Sequence, residues 1–413
     1  MVPLEIRILL LNRFFYPDQS ATSQMLTDLA EDLVGRGYQV TVIAGRYVHN
    51  DPARLLPAWE EWNGIRIHRV RTSGFGRGSL AGRLLDYASF FPAAFFRALR
   101  IPRPDCVIAL SDPPLLVVLA ALLCKLRGLR LIHWAHDVYP DVAVSAGVIR
   151  PGGWWDRLLS RLSGWGLKRA DWIVAIGEKM ASRFKNKGVD RIRVIPNWAD
   201  GKRIFPVSHE GNRFRVEQGW NGKFVVMYSG NMGIVHDFSP LCEAMRRLAD
   251  MNRILFVFIG EGERRRKLVE FVRREGLRNA VFLPLQDRAR LHESLGAADL
   301  HLVVLASSMD GLVVPSKLYG IMAAGRPTLF IGNPDSEIST ILERYGCGVT
   351  APDAASVENT IRLLATDPEC CAAMGRKARR AFETLYDRPM ATSAFEELLR
   401  NLMDAGGDPR LRS

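Results

Sequence analysis

Apolar runs of strand length alternate with helical patterns along almost the whole chain, and the alternation stops once and then restarts. The first series holds Ile6–Leu11, Gln39–Ala44, Asp105–Leu110, Arg130–Trp134, Trp172–Ala175 and Ile192–Ile195. A helix with Leu26, Leu29, Ala30 and Leu33 on 3.6-residue spacing follows the first of these. "WNGIRIHRVR" reads as one more strand, with alternating faces. "IPNWADGKRIFPVSHEGNRFRVEQGWNGK" then breaks the rhythm with Pro, Gly, Asn and charge, and strands resume at Phe224, Ile254, Ala280, Leu300 and Pro327. Strands separated by helices build parallel sheets, so two such series predict two parallel-sheet α/β domains. We place them at residues 1–204 and 205–388, with a last helix over 389–413 crossing back to the first. The length of 413 residues agrees, being too great for one ordinary core.

Ligands of open parallel sheets sit outside the carboxyl ends of the strands, so functional side chains are expected in the loops that follow strands. With two facing domains, the cleft between them is the natural active site. The six cysteines form no Cys-x-x-Cys pair, which argues against a zinc knuckle or a disulfide framework and fits a reducing cytosol. The N-terminus shows no small-residue cleavage site, so no signal peptide is read there. The most apolar window, Leu115–Cys124, has half the length of a spanning helix, which needs about twenty residues. It is expected to be a buried helix.

Net charge is +12, and its distribution carries more than its size. Up to Asn197 there are 27 Lys+Arg against 17 Asp+Glu; beyond it there are 29 against 27. The basic excess lies in the first half, which predicts an anionic partner there. No nucleic-acid recognition module accompanies it.

Four stretches offer chemistry. "NRFFYPDQSATSQ" follows the first strand and opens a helix, whose free N–H groups suit an anion; a plain Ser/Thr cap is the alternative. Gly-x-Gly-x-x-Gly is absent, which excludes the usual dinucleotide fingerprint. "HWAHDVYPD" places His136 beside Asp137 in a loop, able to orient sugar hydroxyls or shuttle a proton, or simply to bond locally. No second His or carboxylate recurs at metal-ligand spacing. "YSGNMGIVHDF" puts Gly230, Asn231 and Gly233 in a turn where backbone can approach a phosphate. In "DGLVVPSKLYGIMAAGRP", Pro315 suits a first helical turn and Lys317 adds a cation to an already positive helix end. An anion beside it removes that cost, and a diphosphate is the expected partner.

"VPSKLYGIMAAGRP", "YSGNMG", "VIPNWAD" and "FFYPDQSATSQMLTDLAEDLVGRGYQVTVIAG" resemble family 4 of the glycosyltransferases, over essentially the whole chain. The bacterial branch that builds capsule, O-antigen and exopolysaccharide repeats is the most similar. The resemblance implies a GT-B fold, two Rossmann-like domains facing each other across a cleft, and retaining transfer from a nucleotide sugar. It implies that Gly230, Asn231 and Gly233 lie under the donor diphosphate. Asp310, Gly311, Leu312, Val313, Val314, Pro315, Ser316 and Lys317 would hold diphosphate and sugar. The backbone at Pro284 and Leu285 would meet the base. Tyr16, Gln19, Ser20 and Thr22 would line the acceptor side with His136 and Asp137. His136, Asp137 and Lys317 are the catalytic candidates. No cofactor or metal is implied, and a UDP-sugar is favoured over a GDP-sugar.

The chain departs from the family in two places. The family's second glutamate, which meets the ribose, falls at Gly320, and the first falls at Leu312, with Asp310 near enough to substitute through a loop shift. Where many members put Arg and Lys in the glycine turn, Asn231 and His236 stand. Lys317 is thus expected to carry much of the diphosphate charge.

The basic half suggests the acceptor. Arg71, Arg77, Arg83, Arg97, Arg100 and Arg103 flank Phe90, Phe91, Phe95 and Phe96, and Trp154, Trp155 and Trp165 recur with basic residues further on. That combination suits an anionic bilayer and a lipid-diphosphate-linked saccharide, placing the protein on the cytoplasmic face of the membrane. Core packing of the phenylalanines is the competing reading. A hydrolysing nucleotide-sugar epimerase and a non-catalytic sugar-nucleotide binder are the functional rivals.

Overall fold

The computed structural model describes residues 6–48, 51–75 and 80–404. Arg77 of the basic segment, residues 1–5 of the N-terminus and residues 405–413 of the expected last helix lie outside them. The chain divides into two compact units. One runs to Pro196 and includes the segment from Thr392 onward; the other is Asn197–Ala391.

The strands of the first unit are β1 (Arg7–Leu11), β2 (Gln39–Gly45), β3 (Tyr47–Val48), β4 (Asp51–Leu55), β5 (Trp59–Trp62), β6 (Ile65–Val70), β7 (Cys106–Ala109), β8 (Arg130–Ala135), β9 (Trp172–Ala175) and β10 (Ile192–Val194). Eight of them form one sheet in the order β10-β9-β8-β7-β1-β2-β6-β5. The pairings are parallel except that of β5 with β6. Strands buried on both faces must be apolar throughout, and Ile8–Leu11 and Cys106–Ala109 are fully enclosed.

"WNGIRIHRVR" holds one strand, β6, preceded by a turn and by Trp62, the last residue of β5. Asn63 and Gly64 adopt φ of 49° and 75°, the left-handed pair that a two-residue hairpin turn needs, and they reverse the chain from β5 into β6. The short β3–β4 pair stands apart from this sheet.

The second unit holds β11 (Phe224–Ser229), β12 (Ile254–Ile259), β13 (Ala280–Leu283), β14 (Leu300–Val304), β15 (Thr328–Ile331) and β16 (Gly348–Thr350). They are all parallel, in the order β13-β12-β11-β14-β15-β16. The order reverses at β11 beside β14, as it does at β1 beside β7 in the first unit. Such switch points open a crevice at the strands' carboxyl ends. The rhythm-breaking segment is tied down by buried Arg215, which donates to the Ala297 carbonyl at 2.7 Å and pairs with Asp299 at 2.9 Å.

The apolar window forms the helix Leu116–Arg127, mostly buried on its sheet. Among the described residues no helix is long and apolar enough to cross a membrane. The last helix, Arg388–Asp404, supplies Phe395 to the first unit, where its ring lies 4.6 Å from that of Trp134. Glu396 pairs there with Arg36 at 2.7 Å.

Candidate active site

In the second unit the loops after β11 and β14 converge. The helix Lys317–Ala323 starts with Lys317 as its first residue and Ser316 as its cap, so Pro315 precedes the helix instead of occupying its first turn. Ser316 makes no side-chain capping bond. The Lys317 stem is partly exposed, yet its Nζ is buried and has no hydrogen-bond partner. It stands over the Tyr228 ring, 3.4 Å from the centroid. A Cβ built on Gly230 would come within 3.6 Å of that Nζ, so the glycine turn and the lysine tip share one small space. Burial holds the ammonium's pKa well below the usual lysine value.

The turn is braced from beneath. Tyr228 donates its hydroxyl to the Asn231 carbonyl at 2.8 Å, and the Met232 N–H donates to Glu261 at 2.7 Å. Gly262, at φ 139°, passes so close that a Cβ would sit within 2.7 Å of the Met232 backbone. Gly260, at φ 127°, meets Gly230 in the same way. "GEG" after β12 is therefore a second structural turn, which sequence reasoning passed over although two glycines follow a strand there. His236 donates its Nδ1 proton to the Gly233 carbonyl at 3.0 Å, and its pKa is lowered to about 3 by burial and then by Lys317. The second departure named above thus has a shape: Asn231 and neutral His236 line the turn, and the buried Lys317 amine stands beside it.

The long loop before Lys317 is ordered by Gly311 at φ 70° and by Asn333, whose amide donates to Asp310 at 3.2 Å. Leu312 and Val314 are buried apolar side chains, and Val313 is partly so, so this loop offers backbone more than side chains. Pro284 and Leu285 follow β13, with Leu285 exposed and the Pro284 carbonyl taken by Gln286 at 2.7 Å. Gly320 faces Leu295 and Ile204, whose methyls would stand 3.6 and 3.9 Å from an added Cβ.

In the first unit the candidates gather after β1, β7 and β8. Tyr16 stacks on Trp62 with centroids 3.8 Å apart, and its carbonyl accepts from Arg69 at 2.6 Å. Trp62 ends β5, so the hairpin missed in the sequence braces the loop. Ser20 caps the helix Ala21–Gly35 by position but makes no capping bond, and its hydroxyl is buried without a partner. The simple-cap reading is thereby corrected: the Ser20 backbone instead donates to Asp18 at 2.7 Å. Gln19 is exposed and Thr22 partly so.

His136 is buried, with Nε2 unpartnered and a pKa lowered to about 3 by burial and by His133. Asp137 is pushed up to about 7 by burial and by Asp112. Both backbone N–H groups reach the Ser111 hydroxyl after β7, at 3.1 and 3.2 Å. Ser111 had no motif to announce it; only the neighbouring of β7 and β8 brings it here. Among the described residues no cluster of His, Cys, Asp and Glu is arranged to hold a metal ion.

Residues 20–198 match the glycosyl transferase 4-like domain, and residues 212–381 match the domain of glycosyl transferases group 1. WbjE of Pseudomonas aeruginosa, a probable glycosyltransferase, is 31% identical over 317 residues, covering 74% of this chain and 76% of WbjE. The chain belongs to the glycosyltransferases. A second relative of this glycosyltransferase is WcaI of Escherichia coli (strain K12), a putative colanic acid biosynthesis glycosyl transferase. It is 27% identical over 367 residues, covering 86% of this chain and 90% of WcaI. The glycosyltransferase has the GT-B fold. Sucrose-phosphate synthase from Thermosynechococcus elongatus superposes with a TM-score of 0.77 at 17% identity, over 97% of this chain and all of that one. HepE of Anabaena, solved with UDP-glucose, gives 0.71 at 16% identity over 96% of this chain and all of its own.

Proposed function

We propose that this glycosyltransferase moves a sugar, with retention, from a nucleoside-diphosphate donor to a lipid-diphosphate-linked saccharide in the synthesis of a bacterial surface polysaccharide. The carrying observation is the buried, unpartnered Lys317 Nζ beside the Gly230–Gly233 turn. Charging a buried amine without a counter-charge costs several kcal/mol, and an anion beside it offsets part of that cost. Breaking the bond from sugar C1 to the diphosphate oxygen leaves negative charge on that oxygen. A preorganised cation and backbone donors there act most strongly in the transition state. The UDP-glucose in HepE and the colanic acid role in WcaI's name support a UDP-sugar and a polysaccharide product.

On the acceptor side, the unpartnered Ser20 hydroxyl at the start of the helix Ala21–Gly35 offers a donor, and His136 Nε2 offers a neutral nitrogen for a sugar hydroxyl. A diphosphate oxygen takes the acceptor's proton in this reading, and no divalent metal is needed.

The lipid end of the acceptor suits the outer faces of three helices. In Leu80–Arg100, Phe90 is core and Phe91 and Phe95 are half-buried, but Leu84, Leu85, Phe96 and Leu99 are exposed. Leu116–Arg127 packs against both this helix and Trp154–Leu167, and exposes Leu122 and Leu126. Trp154 and Trp155 are 67% and 61% exposed with their rings 4.5 Å apart, so they form one joined apolar patch. Arg100, Arg157 and Arg161 are exposed in the same layer. Apolar anchors rimmed by arginine match an anionic bilayer.

The test is a transfer assay with nucleotide sugars, run with and without lipid-linked acceptor. Sugar transfer that needs acceptor is expected. Donor cleavage or epimerisation without acceptor would favour the epimerase, and tight donor binding with no turnover would favour a binding module.

A further inference from the structure

We propose that Ser111 is a positioning residue for the His136–Asp137 pair, its hydroxyl fastening their turn to the loop after β7 and donating its proton to Asp137. The proposal rests on the reading of that pair as acceptor-side machinery.

A hydroxyl has two lone pairs and one proton. Both lone pairs of the buried Ser111 Oγ are taken, by the N–H of His136 at 3.1 Å and of Asp137 at 3.2 Å. Its proton then points to Asp137 Oδ2, 3.4 Å away. Two consecutive backbone donors on one oxygen tie the turn to the loop after β7. The direction of the unpartnered His136 Nε2 follows from that turn together with the Trp134 ring, 4.8 Å away.

The same hydroxyl acts on charge. The groups bearing on Asp137 are Asp112 and Ser111, with His133 and His136 on the adjoining strand end. Burial and the Asp112 charge raise its pKa, and the Ser111 bond lowers it. His133 and His136, held at about 4 and about 3, are neutral near pH 7 and give the carboxylate no counter-charge. Ser111 is thus the favourable contact offsetting burial, and its loss protonates Asp137 over a wider pH range.

Ser111→Ala and Ser111→Thr test this. The Asp137 carboxyl is followed by difference infrared titration, its band assigned with Asp137→Asn, and kcat/KM is followed across pH with nucleotide sugar and acceptor. In Ser111→Ala the midpoint should rise by about one unit, the scale of one hydrogen bond to a carboxylate. The acidic limb of kcat/KM should move with it. Ser111→Thr, which keeps the hydroxyl, should restore both. An unmoved midpoint in Ser111→Ala, or activity lost equally at all pH, would overturn the proposal. The infrared titration reads Asp137 without turnover. An inactive wild-type protein would sink the functional reading and leave this measurement decisive for Ser111.

Discussion

Lys317 Nζ stands 3.4 Å above the centroid of the Tyr228 ring, and the hydroxyl of that ring holds the Asn231 carbonyl. One side chain of β11 therefore seats the cation with its face and the glycine turn with its edge. The face of an aromatic ring attracts a cation, which recovers part of the cost of burying the lysine.

Lys317→Ala should weaken nucleoside-diphosphate binding and slow transfer more, by about a hundredfold, since diphosphate charge grows as the glycosidic bond breaks. Calorimetry and steady-state kinetics read the two effects. Normal binding and transfer in this variant, with Asn231→Ala crippled, would move the phosphate site to the glycine turn.

Lys317→Met should be more stable than wild type near pH 7. Below its ordinary value of about 10.4 the lysine is protonated in the unfolded chain, whereas burial depresses its folded pKa, so folding is penalised. The penalty is full below the folded pKa and disappears above the unfolded one. The gain in thermal midpoint should shrink as pH rises towards about 10. A gain that grows with pH would contradict the assignment.

Binding of UDP should take up a proton. The diphosphate raises the depressed pKa of Lys317, so the bound state holds more protons than the free state between the two values, and affinity falls as pH rises through that window. Calorimetry above about pH 7.5, clear of phosphate's own titration near 6, in buffers of differing ionisation heat, counts the proton. Binding with no proton exchange throughout that range would mean that Lys317 is already charged in the free protein.

Gly320→Glu should fold, because an added Cβ meets only methyl groups at van der Waals distance and glycine is the poorer helix former by up to about 1 kcal/mol. If the carboxylate reaches the ribose, preference for UDP over its 2′-deoxy analogue should rise about tenfold or more. Equal thermal shifts by both ligands, before and after the change, would place the ribose elsewhere.

Vesicle sedimentation should show binding to anionic lipid that is released by salt, since screening shortens as ionic strength rises. Trp154→Ser should cut it by about tenfold, the scale of losing one buried aromatic, with little change in stability at so exposed a position. Binding to neutral vesicles alone would remove the electrostatic part of the reading.

Periodicity made the parallel strands legible because burial on both faces forces continuous apolar runs, as in Ile254–Ile259. The hairpin at Asn63-Gly64 was legible too, but its strands were read through because Ile65–Val70 alternates well on its own. Lys317 was visible as a cation at a helix start; its burial on Tyr228 was not, since the contact joins residues 317 and 228 through sheet order. Ser111 was illegible for the same reason. A serine after a strand has no local signal, and only the pairing of β7 with β8 makes it a neighbour of His136.

The return of Phe395 to Trp134 has a consequence for how the protein is made. The ribosome releases the first unit's described strands long before it reaches Thr392, so during synthesis Trp134 and Arg36 wait without Phe395 and Glu396. The first unit to be translated is the last to be finished. A premature stop just after Asp387 would damage the end of the molecule farthest from it in sequence.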